Sequence, residues 1–298
     1  MSTKSFFSHL GKKLPFFGTP DPLVTVIELN GAIGASGGLG RGLSAAKLAP
    51  LIEAAFKPDK LDAVALAINS PGGSPVQSNL IHGAIRAAAA KKKVPVIAFV
   101  EDVAASGGYI LAIAADEIYA DPSSIVGSIG VVSAGFGFDE AIAKLGVERR
   151  VHTAGESKSQ LDPFKPESPE DVARLDAILA DLHRIFIDLV KQRRGGALKD
   201  GFEDTFTGAF WPAAGAQARG LIDGTGRLND FLKSRFGEDV RIRRISARTS
   251  PLKRLTGAAG SSGLDPAGFD PAGFDPAAWA LGAVSAANEL ALWRRFGR

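Results

Sequence analysis

A few short stretches hold the residues of this chain that could do chemistry. In "EDVAASGGYILAIAADEIYA" (101–120), Ser106 sits between an apolar run and a glycine pair. A serine at such a bend can attack a carbonyl, provided that a base takes its proton. Its commoner role is that of a plain turn residue, because glycine pairs mark turns of every kind. "INSPGG" (68–73) is a second glycine turn, again where a strand pattern gives way to a helix pattern. The free N–H groups of such a helix start can hold an anion or a developing oxyanion. Two turns of this kind at adjacent strand ends, with the N–H of Gly107 on one of them, would supply two donors to one oxygen.

The base is the open question. Histidine is the usual choice, and the histidines stand far apart at 9, 82, 152 and 183. The first one after Ser106 is His152, inside a predicted strand, where a histidine is more often structural. The alternative is Lys158, in the loop "AGESKSQLDPFKPES" with Pro163 and Phe164 beside it to exclude water. A lysine acts as a general base where burial and neighbouring hydroxyls lower its pKa, whereas an ordinary loop lysine is solvated.

The elements that must position these residues can be read from periodicity. "PLVTVIELNGAIG" (22–34), "LDAVALAINS" and "VPVIAFV" (94–100) read as strands, the last two buried on both faces. "GLSAAKLAPLIEAAFK" (42–57) and "VQSNLIHGAIRAAAAKKK" have helical spacing. A helix starts near Ser106 and stops before a short strand at "DEIYA". Strands alternating with helices predict an α/β fold with a mainly parallel sheet and crossover helices. Further on, "SSIVGSIGVVSAGFG" (123–137) is β-branched, "DEAIAKLG" is a short helix, and "VERRVHTAG" (147–155) reads as a strand. "SPEDVARLDAILADLHRIFIDLVKQRRGG" is a long helix with Ser168 as N-cap, Pro169 in its first turn and Gly195 as terminator. Shorter helices follow near 211–219 and 227–236.

The sequence divides into a leader (1–21), a domain over 22–246, a linker with a DPAGF repeat (247–275) and an amphipathic segment (276–298). The leader is expected to be disordered or to lie on a membrane surface. The basic run "RIRRISARTSPLKR" (241–254) reads as an exposed edge strand and a solvated linker, with attraction to acidic phospholipid as the alternative. With no cysteine in 298 residues, disulfides and thiolate chemistry are excluded. A net charge of +3 does not argue for nucleic acid. No signal peptide or transmembrane run is read, so the expected location is cytoplasmic or peripheral at the inner membrane.

In their order, "INSPGG", "VAASGGY", "VGSIGV" and "GESKSQLDPF" resemble the protease IV (signal peptide peptidase) family, including its SohB-like short members. The resemblance implies a ClpP/crotonase-like fold and a Ser–Lys dyad. It implies Ser106 as nucleophile, Lys158 as general base and Ser128 as the residue that orients the lysine amine. It places Gly72, Gly73 and Gly107 at the oxyanion hole, Gly73 and Gly107 foremost. Short members assemble into rings, so a homo-oligomer is expected, with peripheral membrane contact as a further partner reading. Better-known members carry an N-terminal membrane anchor, which is not read here.

The expected activity is that of a serine endopeptidase acting on extended hydrophobic peptides, such as remnant signal peptides or membrane-derived fragments. It would proceed through an acyl-enzyme and need no metal or cofactor. Two rivals share the fold. A crotonase-like acyl-CoA enzyme would use the same oxyanion hole with no role for Lys158. A non-catalytic membrane-associated scaffold would keep the oligomer and leave Ser106 inert.

Overall fold

The computed structural model describes residues 20–34, 42–155 and 157–245. The expectations for the leader, the DPAGF linker and the C-terminal segment fall outside those residues. The strands are β1 (Leu23–Asn30), β2 (Ala63–Ser70), β3 (Val96–Ala105), β4 (Glu117–Ala120), β5 (Ile125–Gly127), β6 (Phe210–Pro212), β7 (Gly224–Thr225) and β8 (Arg241–Ile245). They form one sheet in the order β6-β5-β3-β2-β1-β8, with β4 joining β3 to β7. Every pairing is parallel except β5 with β6. The helices are α1 (Ala45–Phe56), α2 (Pro75–Lys92), α3 (Gly107–Ala112), α4 (Asp139–Lys144), α5 (Pro169–Arg194), α6 (Ala213–Ala218) and α7 (Leu228–Phe236). The α/β expectation is met.

Alternation along the central strands explains the layers. Val64, Leu66 and Ile68 of β2 face one core, with Leu48 and Ile52 of α1, Ile81 and Ile85 of α2, and all of α3. Ala63, Ala65 and Ala67 face the other core, with Phe99 and with Leu232 of α7. Parallel strands covered on both faces need apolar residues at every position, hence their unbroken apolar runs. Serines start the first two helices: the hydroxyl of Ser44 accepts from the Lys47 N–H, and that of Ser74 from the Gln77 N–H, both at 3.4 Å. Buried Thr25 finds a partner in the core, its Oγ1 donating to the Ala55 carbonyl at 3.0 Å.

β3 has two partners along one edge. Ile97–Val100 pair with β4, and Val103–Ala105 pair with β5. The sheet therefore forks, and only β5 continues to the end of β3 where Ser106 lies. α5 is anchored by its C-terminal part, in which Arg194 is buried and donates to both carboxylate oxygens of Asp223 at 2.9 Å and to the Gly220 carbonyl.

Several local expectations are corrected. Residues 147–155 form a loop rather than a strand. Their charges pair locally, Arg150 with Glu148 and Arg149 with Asp162. The β-branched stretch from Ser123 yields only the three-residue strand β5. Trp211 and Pro212, read as the start of a helix near 211–219, belong instead to β6, which pairs antiparallel with β5. Ser168 stands at the N-cap of α5 but makes no side-chain cap bond, and Gly195 stays right-handed at φ −45°. Arg241–Ile245 form the expected edge strand, largely exposed.

His82 of α2 is 9% exposed, with the Ile113 backbone and the guanidiniums of Arg193 and Arg86 near its ring. Burial, and then the Arg193 and Arg86 guanidiniums, hold its pKa down to about 4 from 6.5. Its Nε2 has no partner among the described residues. The unfolded chain therefore takes up this proton at a higher pH than the folded one, and stability falls as the pH drops from about 6.5 toward 4. Denaturant melts at pH 7 and pH 5 should differ by about 2 kcal/mol more in the wild type than in His82→Gln.

Candidate active site

Ser106 follows the last residue of β3 and has φ 53° and ψ −122°. Residues with a side chain rarely adopt such a conformation, which costs about 1–3 kcal/mol and persists only where the surroundings over-determine it. Here the Ser106 N–H donates to the Gly127 carbonyl at 2.9 Å, and its carbonyl accepts from Tyr109 N at 2.9 Å and Ile110 N at 3.2 Å. Every residue of α3 behind it is buried. The Tyr109 hydroxyl donates to the Leu221 carbonyl at 2.7 Å, and burial pushes its pKa up, so it stays a donor. The bend turns the side chain of Ser106 out of the sheet into a cleft.

The two glycine turns meet at that cleft. A Cβ on Gly72, itself at φ +102°, would come within 2.8 Å of Gly107 N and Ser106 Cβ. A Cβ on Gly107 would lie 2.4 Å from Ser78 Oγ and 3.3 Å from Gly73 N. Gly73 forms a parallel bridge with Ile33, in which the Ile33 N–H donates to the Gly72 carbonyl and the Ser74 N–H to the Ile33 carbonyl, both at 2.8 Å. That pattern turns the N–H of Gly73 itself the other way, toward Gly107. Neither the Gly73 nor the Gly107 N–H has a hydrogen-bond acceptor among the described residues. Gly72 is a correction: its N–H already reaches Ser70 Oγ at 3.3 Å, so its part is close approach rather than donation.

Ser128 arrives beside Ser106 because Ala105 of β3 is in register with Gly127 of β5. It too has a positive φ, 55°, and its N–H donates to the Ala209 carbonyl at 2.7 Å. Ser106, Ser128, Gly73 and Gly107 all line one cavity of about 380 Å³. Its remaining wall is mainly apolar: Ile110, Val131, Val132, and Leu182, Ile185 and Phe186 from α5.

Lys158 is not there. It is exposed, in a turn closed by its own N–H to the Gly155 carbonyl at 3.2 Å. Phe164 does not wall it off but packs on Phe138, 5.6 Å between centroids, with the Arg149 guanidinium 4.9 Å from its ring. The bonds from Arg149 and from the Phe164 N–H hold the Asp162 carboxyl below the usual carboxylate range. His152 is likewise exposed and does not line the cavity. The structure thus brings together the hydroxyls and amide donors and leaves both candidate bases outside. Sequence reasoning missed the α5 wall of Leu182, Ile185 and Phe186, because helical spacing alone does not say which face meets a cleft. It also missed His183, whose Nε2 lies 3.1 Å from the Ile129 carbonyl.

Comparison with known proteins places the chain in a class. Residues 88–238 match Peptidase family S49, and the chain belongs to that family. The mainly parallel α/β sheet with crossover helices that the motifs implied is the one observed. A Brucella melitensis biotype 1 protein named Na(+)/H(+) antiporter NhaA is 49% identical over 277 residues, covering 92% of this chain and 37% of that protein. The chloroplastic serine protease SPPA of Arabidopsis thaliana is 33% identical over 191 residues, 64% of this chain and 28% of that one. The probable protease SohB of Buchnera aphidicola subsp. Acyrthosiphon pisum is 32% identical over 190 residues, 62% of this chain and 54% of that one. The chain therefore spans only about a third of the first relatives it matches. Among the described residues no helix is long and apolar enough to cross a membrane.

The strain at Ser106 has a direct consequence. Glycine reaches φ 53° at little cost, whereas alanine meets the same strain as serine. Ser106→Gly should therefore be more stable than Ser106→Ala by about 1 kcal/mol, despite the extra freedom glycine gives the unfolded chain. Urea denaturation of the pair measures the difference.

Proposed function

We propose that this protein is a serine peptidase that cleaves extended peptides with small or apolar side chains. The observation that carries this reading is the strained Ser106 beside the unengaged N–H groups of Gly73 and Gly107 in one cleft. Ser106 Oγ attacks the scissile carbonyl carbon while a base takes its proton. The carbonyl oxygen becomes an oxyanion that accepts from the two N–H groups, where preorganised donors act most strongly. The C–N bond breaks as the amine takes the proton from the base. Water, deprotonated by the same base, then attacks the acyl-enzyme and frees the acid and the serine. Ile110, Val131, Leu182 and Phe186 suit an apolar substrate side chain. Peptides of membrane or signal origin match that preference.

Lys158 is the base in this proposal, with Ser128 orienting its amine. Exposed in one chain, it must be brought to a cleft and desolvated there. The segment before it displays Val132, Phe136, Leu145 and Val147 to solvent, an apolar surface of the kind that marks interfaces. We therefore propose a homo-oligomer in which this surface is covered and a lysine loop completes the site. Peripheral membrane contact finds support in the Brucella relative named as an antiporter, of which this chain matches one part. The DPAGF linker is assigned a spacer role.

A crotonase-like acyl-CoA enzyme would need the same two N–H groups but no Ser106 hydroxyl, so substitutions separate the readings. Ser106→Ala and Lys158→Arg should each lose at least about a thousandfold in turnover of a hydrophobic peptide, since neither can complete proton transfer. Both should keep the wild-type fold by circular dichroism. Mixing the two inactive variants should restore part of the activity if the lysine comes from another copy. Substantial turnover by Lys158→Arg would sink the lysine assignment, and His152 would be the next base to test.

A further inference from the structure

We infer that His183 is a positioning residue: its imidazole holds the Ile129 carbonyl, and so sets the direction of the Ser128 hydroxyl and of the cleft rim at Gly130–Val132. The inference rests on the serine-peptidase reading of the same cleft. Residues 128–130 make a tight turn in which the Gly130 N–H donates to the Ser128 carbonyl at 2.9 Å around Ile129. Ser128 within it has φ 55° and is 3% exposed. A strained turn needs outside anchors, and two are present. The Ser128 N–H is held by the Ala209 carbonyl at 2.7 Å, and the Ile129 carbonyl meets His183 Nε2 at 3.1 Å.

That second anchor cannot be replaced by water at no cost. Ile129 is fully buried, so its carbonyl must find a donor within the protein. A carbonyl oxygen only accepts, which places the ring proton on Nε2 of His183. The histidine sits on α5 between cleft-lining Leu182 and Ile185, so the helix that forms the apolar wall also fixes the serine-bearing turn opposite. Losing the donor frees the buried carbonyl and its peptide plane with Gly130 to rotate. Because the Gly130 N–H in that plane holds the Ser128 carbonyl, the turn that carries the Ser128 hydroxyl shifts with it. Misplacement of a proton-transfer partner by about 1 Å is enough to cost as much as a hundredfold in rate.

The test uses the full chain and two substitutions. His183→Leu keeps most of the volume without a donor, and His183→Gln returns an amide N–H near the position of Nε2. For each, hydrogen exchange of the peptide covering residues 126–132, the rate of Ser106 labelling by a fluorophosphonate, and kcat and KM on a hydrophobic peptide are measured, with a thermal melt as control. The expected result for His183→Leu is faster exchange and about a tenfold lower kcat and labelling rate, with KM changed less than about threefold. His183→Gln should recover most of both. Wild-type exchange and kcat in His183→Leu would overturn the inference. So would equal losses in both variants accompanied by a lowered melting point, since packing alone would then explain them. A wild type that neither hydrolyses peptide nor takes up label sinks the peptidase reading instead. Exchange then decides the clamp by itself, and unchanged protection in His183→Leu counts against it.

Discussion

The approach of one backbone turn to another, with no side chain between them, governs the chemistry this fold can support. Gly72 and Gly73 at the end of β2 press against Ser106 and Gly107 at the end of β3, and a methyl group at Gly72 or Gly107 would lie under 3 Å from its neighbours. The contact follows from the sheet. β2 and β3 pair in parallel as far as Ser70 and Ala104, with a register shift just before, so both chains leave the sheet at the same level. The bridge from Ile33 to Gly73 then occupies one side of the second turn and leaves its N–H facing the first. β1, β2, β3 and β5 thus all contribute to one small volume, and the apolar layers on both faces keep their ends aligned.

That half of the site is rigid by construction. Buried helices and matched hydrogen bonds surround the strained dihedral at Ser106, and strain persists only where the structure around it leaves no alternative. The other half is of a different physical kind. Lys158 lies in a loop whose contacts are local: Arg149 with Asp162, Phe164 with Phe138, and Arg174 with Ser157 Oγ. Large apolar side chains nearby, Phe136 at 78% and Leu145 at 77% exposure, find no core among the described residues. A lysine becomes a base only when it is removed from water, and apolar surface is stable only when covered. In the proposed homo-oligomer, one association would meet both requirements.

α5 links the two halves. Its C-terminal part is fixed in the core by Phe186, Val190 and the buried Arg194 pair with Asp223, while its first turns tie down the lysine loop through Asp171 and Arg174. Between them it presents the apolar cleft wall and His183. A single long helix thereby sets cleft wall, serine turn and loop in one frame.

The sequence by itself determined the central strands and their burial, the helices over 42–57 and 76–93 to within a few residues, the glycine turns and Ser106. These depend on short-range spacing: an unbroken apolar run, a period near 3.6, or a glycine pair where a chain must bend. The four motifs also carried the family. Tertiary structure alone decided which N–H groups remain available: Gly72 and Gly73 are alike in sequence, but the Gly72 N–H donates to Ser70 Oγ while the Gly73 N–H has no acceptor among the described residues. It alone showed that residues 147–155 find no strand to pair with, that Phe210–Pro212 do, and that Lys158 stands apart from Ser106. The same holds for His183, whose partner is 54 residues away. Strand pairing and side-chain neighbours across a sheet are set by which distant segments meet. Local periodicity does not record that.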